Sequence, residues 1–327
     1  MSPPSAVVTG GSGFIGSHLV ERLAETCRHV RTFDLSPPPP DLDPRTRGVE
    51  HVVGDIRDET VLRKVIRPGV DVVYHLSALV GVDRYLASPL DVIDVNVLGT
   101  RTVLRLAAEV GAKVVMASTS EVYGRNPAVP WAEDSDRVLG GTGTDRWCYS
   151  SSKAVAEHLV FAYGRHTGLP VCVVRYFNVY GPRQRPAYLV SRTVHRVLNG
   201  RSPLVYDGGR QTRAFTFVAD VVAGTLLAGT GSATDGECVN LGSDRESTVD
   251  EVVRLVCELA GTAVAPEPVT TGATLGPAYE DIPRRVPDVG KARRLLGWRC
   301  ETSLREGVRR TIRWARNNPW WTAELRP

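Results

Sequence analysis

The 327 residues carry 40 basic and 36 acidic side chains, a formal net charge of +4, with 42% hydrophobic and 23% charged positions. That balance supports a sizeable buried core and about two domains' worth of chain, and it excludes intrinsic disorder, collagen-like repeats and a disulfide-stapled miniprotein. No apolar run approaches the ~20 residues that span a bilayer, and the chain enters a strand pattern directly, so no membrane segment, no signal peptide and a cytoplasmic protein are expected.

Only four lysines occur (64, 113, 153 and 291), so the positive charge is nearly all arginine, which suits phosphate or carboxylate recognition as well as a solvated surface. No basic stripe or reader motif points to nucleic acid. Six scattered cysteines (27, 148, 172, 238, 257 and 300) include no C-x-x-C pair and read as small apolar fillers, with no metal expected.

In chain order, β-branched runs at 5–9, 29–34, 49–55, 70–76, 112–118 and 171–177 alternate with helical patterns such as 14–26 and 99–110. Continuous apolar strands separated by helices predict an α/β, Rossmann-type, doubly wound parallel sheet covered on both faces. Pro37-Pro38-Pro39-Pro40 reads as a loop. After about residue 178 the segments shorten, Gly and Arg become denser, and helices are expected at 248–261, 289–296 and 303–317. The expected division is a Rossmann domain over 1–178 and a smaller C-terminal α/β substrate domain over 179–327, with some chain crossing between them. Trp314, Trp320 and Trp321 read as packing or surface aromatics.

Thr9-Gly10-Gly11-Ser12-Gly13-Phe14-Ile15-Gly16 follows the first strand and opens the first helix, matching both G-x-G-x-x-G and G-x-x-G-x-x-G. Glycines there permit a tight turn and let backbone approach a pyrophosphate held at a helix N-terminus. Asp34 ends the second strand, where an acid accepts from ribose hydroxyls and repels a 2′-phosphate; NAD is therefore expected rather than NADP. Asp55 and Ile56 after the third strand, and Leu76, Ser77 and Ala78 after the fourth, fall where such a sheet binds its ligand, Asp55 meeting the adenine amino group. His75 reads as a structural histidine.

Tyr149-Ser150-Ser151-Ser152-Lys153 puts a phenol and an ammonium one helical turn apart on one face. A neighbouring ammonium and a positive nicotinamide ring both favour phenolate, so a lowered Tyr149 pKa is expected. The tyrosine then takes a proton from a substrate hydroxyl while hydride leaves the same carbon.

Together with Asn96, Thr119 through Gly124, Arg175 through Pro182 and Gly208 through Phe215, these motifs resemble the extended short-chain dehydrogenase/reductase family of nucleotide-sugar epimerases, dehydratases and decarboxylases. The resemblance spans essentially the whole chain. It implies bound NAD, a nucleoside-diphosphate sugar in the C-terminal domain and a homodimer. It also implies cofactor contacts from Asn96, Tyr149, Lys153 and Tyr176.

Within the family, Ser118-Thr119-Ser120-Glu121-Val122-Tyr123-Gly124 is similar to the UDP-glucuronic acid decarboxylases (UDP-xylose synthases). The 4,6-dehydratases have Asp-Glu where this chain has Ser120-Glu121, so the acid for water loss is absent, and simple 4-epimerases lack the acid at 121. Arg146-Trp147-Cys148-Tyr149 and the stretch from Tyr279-Glu280-Asp281-Ile282 into Arg285-Val286-Pro287-Asp288 extend the likeness. The resemblance assigns catalysis to Thr119, Glu121, Tyr149, Lys153 and Arg285. It assigns substrate contacts to Thr119, Ser120, Glu121, Asn178, Arg213 and Arg285, although Arg285 also fits a plain surface arginine.

The expected reaction oxidises C4 of UDP-glucuronic acid and then releases carbon dioxide, giving UDP-4-keto-pentose or UDP-xylose. A 4-epimerase or 4,6-dehydratase is the alternative, and an NAD-binding regulator on the same fold belongs to a different class. The chain departs from UDP-xylose synthases at 150–152 and 88–96, which leaves another nucleotide sugar open.

Overall fold

The computed structural model describes residues 4–272 and 282–323. Its central sheet has seven strands: β1 (Ser5–Thr9), β2 (His29–Asp34), β3 (Glu50–Val53), β4 (Val72–His75), β5 (Lys113–Thr119), β6 (Val171–Tyr176) and β7 (Glu237–Leu241). Their order is β7-β6-β5-β4-β1-β2-β3 and every pair is parallel. The longer helices are α1 (Phe14–Thr26), α2 (Thr100–Val110), α3 (Arg146–Thr167), α4 (Leu189–Leu198), α5 (Val218–Gly229), α6 (Val249–Ala260) and α7 (Leu304–Arg316).

Side chains alternate across a strand, and β1 shows the result. Ala6 and Val8 join a core containing Leu19, Val20 and Leu23 of α1 and Val221 of α5. Val7 points the other way, into a core with Val103 and Leu106 of α2 and Val160 of α3. The sheet is thus covered on both faces, as the unbroken apolar strands predict. The chain turns one way from β1 through β2 to β3 and the other way from β4 through β6, which places a topological switch between β1 and β4.

Two elements differ from the sequence reading. Strand β7 lies well beyond residue 178, yet it pairs with β6 from Glu237↔Cys172 to Leu241↔Tyr176. Before α2, residues Asp94–Gly99 form a π-helical turn rather than ordinary loop or helix.

The rest of the C-terminal half builds small sheets. Thr212–Ala214 pairs antiparallel with Glu246–Thr248 and parallel with Arg284–Arg285, so that Arg285 lies opposite Arg213. Trp321 is buried and donates to the Gln184 carbonyl at 2.9 Å, Trp314 donates to Asp41 at 2.8 Å, and Trp320 stays half exposed. The segment Tyr279-Glu280-Asp281 lies outside the described residues.

Helix α3 is clamped to the sheet by a buried charge network. Arg175 of β6 donates to both Glu157 oxygens at 3.0 and 2.6 Å, and Ser118 of β5 donates to Glu157 at 2.5 Å. Breaking one partner of such a buried pair costs about 3–5 kcal/mol, so the register of α3 against β5 and β6 is firmly set.

Candidate active site

A cavity of about 960 Å³ opens over the carboxyl ends of the strands, between the sheet and the C-terminal half. At one end Gly10, Gly13, Phe14, Ile15 and Gly16 line it, with Asp34, Asp55 and Ile56 beside them. Gly10 has φ of +74°, and a Cβ there would stand 2.7 Å from the Ser77 backbone nitrogen. A Cβ on Gly16 would fall 2.0 Å from the Gly10 carbonyl oxygen, so only glycine lets α1 start this close to the turn. Helix α1 has no side-chain cap and no acid in its first turn, which leaves its positive end available to an anion.

Asp34 accepts from the Ser12 and Ser36 backbone amides at 3.0 and 3.1 Å and borders the cavity. Asp55 is held by Arg57 at 2.7 Å, whose hydrogen bonding keeps the carboxyl below its usual range. Leu76, Ser77 and Ala78 complete this wall. This backbone cradle, uncapped helix end and strand-end acid fit NAD.

His75 sits behind that wall, fully buried, with Thr9 at 2.7 Å and Thr100 at 2.9 Å on its two ring nitrogens. Burial, reinforced by Lys153, pushes its pKa down to about 3, so it stays a neutral structural imidazole. Asn96 stands apart from the other expected cofactor residues because it does not line the cavity. Its side chain accepts from Leu79 N–H at 3.0 Å and donates to Ser152 at 3.1 Å, tying the 77–80 loop to α3.

Thr119, Ser120 and Glu121, at the end of β5, meet Tyr149 and Lys153 of α3 at the middle of the cavity. Thr119 and Tyr149 both line this part of the cavity, and the Thr119 hydroxyl accepts from the Glu121 backbone N–H at 3.2 Å. Burial lowers Lys153 to about 8, partly countered by Glu157. The Tyr149 expectation is reversed in the chain by itself: burial raises the phenol above its usual value, and Glu121 and Tyr188 add to the effect.

Glu121 is the most constrained of these groups. Burial alone would raise its pKa, but Arg146 at 2.5 Å and Arg285 at 3.0 Å hold it down at about 2. Arg146 is completely buried, with its guanidinium over the Trp147 and Tyr85 rings. Arg285, read with a surface alternative from sequence, is only 7% exposed and borders the cavity.

Tyr176, opposite Thr119 in the β5–β6 ladder, lines the cavity as well, and so do Asn178, Tyr206, Gln211 and Arg213 of the C-terminal half. Tyr176 spends its hydroxyl on Thr225 at 2.9 Å, so it offers the cavity its ring. Asn178 holds φ of +37°, and its buried side-chain oxygen has no partner among the described residues. Arg213 donates to the Thr212 and Pro283 carbonyls at 2.8 and 3.2 Å.

Sequence reasoning missed four groups here. Asp83, Arg185 and Tyr188 line the cavity, and Arg146 stands behind Glu121. Asp83, in the short helix Val82–Ala87, and Arg185, in a loop, lie 102 positions apart without a motif; Arg146 was visible only as part of the run into Tyr149.

Comparison with known proteins agrees with this geometry. Residues 6–242 match the NAD dependent epimerase/dehydratase family. The chain is 35% identical to a UDP-N-acetyl-alpha-D-glucosaminuronate decarboxylase of Bacillus cytotoxicus, covering 95% of this chain and 97% of that one. It is 35% identical to UDP-glucuronic acid decarboxylase 1 of Xenopus tropicalis, covering 95% and 72%. Among solved structures, a double mutant of the dTDP-glucose 4,6-dehydratase DesIV of Streptomyces venezuelae with NAD bound superposes with a TM-score of 0.85 at 32% identity, covering 97% and 98%. The chain therefore belongs to the NAD dependent epimerase/dehydratase family, as an NAD-using enzyme of nucleotide sugars.

Proposed function

We propose that the chain decarboxylates UDP-glucuronic acid, or a close relative of it, after oxidation at C4. The observation that carries this reading is the Glu121 carboxylate held between two guanidiniums, one of which, Arg285, also borders the cavity. Two arginines against one carboxylate leave a net positive charge beside the sugar site, matched to a substrate carboxylate. Ser120 supplies no acid for expelling a hydroxyl as water, and a carboxyl held near 2 is a poor proton donor at neutral pH. The decarboxylase relatives, similar over nearly the whole chain, support the same choice.

Residues 10, 13–16, 34, 55–56 and 76–78 would hold NAD, with Tyr149, Lys153 and Tyr176 toward its reactive end. Bound there, NAD supplies the acceptor for the hydride of the C4 carbon. Tyr149 takes the C4 hydroxyl proton, with Thr119 orienting that hydroxyl and Lys153 favouring the phenolate. The C4 ketone so formed is β to the C6 carboxylate. When the C5–C6 bond breaks, its electron pair passes into the C4–C5 enolate and carbon dioxide leaves. Arg285 and Arg213 hold the carboxylate and diphosphate, Asn178 contacts the diphosphate or base, and Ser120 borders the sugar.

We assign residues 1–178 to the cofactor and 179–327 to the nucleotide sugar, with β7 crossing between them. We also read the protein as a homodimer; exposed Leu90, Ile93, Leu98 and Val155 on the packed 89–99 segment and α3 support a face that a second copy covers.

The test is mass spectrometry of the products from UDP-glucuronic acid and NAD. Loss of carbon dioxide is the expected result; an isomer of unchanged mass would make the protein an epimerase, and loss of water a dehydratase. The Bacillus cytotoxicus relative favours a second substrate, UDP-N-acetylglucosaminuronic acid, which carries the same carboxylate and belongs in the same assay.

A further inference from the structure

Arg146 has no surface exposure and does not line the cavity, so it does not touch the substrate. It opens α3 three residues before Tyr149 and seven before Lys153, on the helical face that carries both. Its Nη1 donates to Glu121 Oε2 at 2.5 Å, while Arg285 Nη1 donates to Oε1 of the same carboxylate at 3.0 Å. The two arginines differ in position. Arg146 is wedged over the Tyr85 and Trp147 rings, 5.6 and 5.2 Å from their centroids. Arg285 borders the cavity, and its buried Nε has no hydrogen-bond partner among the described residues.

A buried carboxylate with a single arginine neighbour draws that guanidinium into a two-pronged pair. Here the second prong is already occupied. We propose that Arg146 is a positioning residue that carries the counter-charge of Glu121, leaving the remaining donors of Arg285 for the carboxylate of the substrate sugar. Glu121 accordingly acts as a spacer that aims Arg285. The role rests on the carboxylate-sugar reading above, and it is separable from the chemistry because it concerns binding.

The test uses the full chain with NAD in a Tyr149→Phe background, which keeps the ring and stops proton abstraction. Calorimetry compares UDP-glucuronic acid with UDP-glucose, identical but for the carboxylate. The parent binds UDP-glucuronic acid more tightly. Arg146→Met lowers that preference by about tenfold, the worth of one charged hydrogen bond, while leaving UDP-glucose affinity unchanged. Adding Glu121→Gln to Arg146→Met restores the preference, because the carboxylate that captures Arg285 is gone. Arg146→Lys keeps most of it.

The proposal is overturned if Arg146→Met weakens both ligands alike, if the double variant fails to recover the preference, or if the parent shows none. Should Arg146→Met not fold, Glu121→Gln alone decides: a preference equal to or above the parent's supports the role, and its loss refutes it. The reading of the reaction fails separately, when the unsubstituted enzyme binds UDP-glucuronic acid preferentially yet releases no carbon dioxide from it.

Discussion

Arg185 grips Asp83 with two parallel hydrogen bonds of 2.7 and 2.8 Å, joining the short helix Val82–Ala87 after β4 to the loop that precedes α4. Both residues line the cavity beside Tyr188, so the pair closes one flank of the site. Asp83 is half exposed, and exposed pairs of this kind are worth about 0–1 kcal/mol. Asp83→Asn is therefore expected to leave the melting temperature nearly unchanged and to raise KM for the nucleotide sugar several-fold. Steady-state kinetics beside a thermal melt check it; a large drop in melting temperature with unchanged KM would contradict it.

Tyr149→Phe keeps the ring packed near Tyr85 and removes only the hydroxyl. Loss of a positioned proton acceptor lowers the rate by roughly 10²–10⁴-fold. NADH absorbance in a single turnover should show the loss at the oxidation step, with NAD affinity preserved.

Glu121 shapes acid stability. Its folded pKa, about 2, lies below its ordinary 4.5, so between those values the unfolded chain binds more protons than the folded one. The contribution is complete above about 4.5 and is lost as pH falls through about 2. Denaturant midpoints should fall across that window, and Glu121→Gln should flatten this part of the curve.

His75 should remain neutral over the range where free histidines titrate, since burial holds its pKa at about 3. In ring-proton NMR spectra its resonances are expected to stay fixed between pH 5 and 8. A midpoint near 6.5 would mean the two threonine hydrogen bonds do not persist in solution.

Much of the cofactor side was legible because its signals are local. The glycine turn, β1 over 5–9, α1 over 14–26 and the acid at the end of β2 are contiguous patterns whose meaning does not depend on distant residues. Tyr149 and Lys153 were equally readable, being one turn apart on a single helix. What escaped were relationships across long stretches of chain. The ion pair of Arg146 with Glu121 joins residues 25 positions apart on different elements, and the Asp83–Arg185 pair spans 102. The raised Tyr149 pKa of the chain by itself was out of reach for a related reason: the i,i+4 lysine is visible in sequence, whereas burial and the charge of Glu121 are products of the fold. Strand β7 was passed over because Glu-Cys-Val-Asn-Leu is short and sits in a stretch dense in glycine and turns.

That strand also bears on how the protein is made. All six residues of β6 are buried, and β7 covers its outer edge, but β7 ends only at Leu241. A nascent chain that has emerged as far as residue 178 therefore carries an apolar strand with an open row of backbone donors and acceptors. Such an edge invites pairing with other chains until its partner arrives. Synthesis must deliver roughly a further sixty residues, a few seconds at ordinary translation rates, before the sheet is sealed. During that interval the ribosome-bound chain is at its most vulnerable to aggregation, and a truncation ending at 178 would make that exposure permanent.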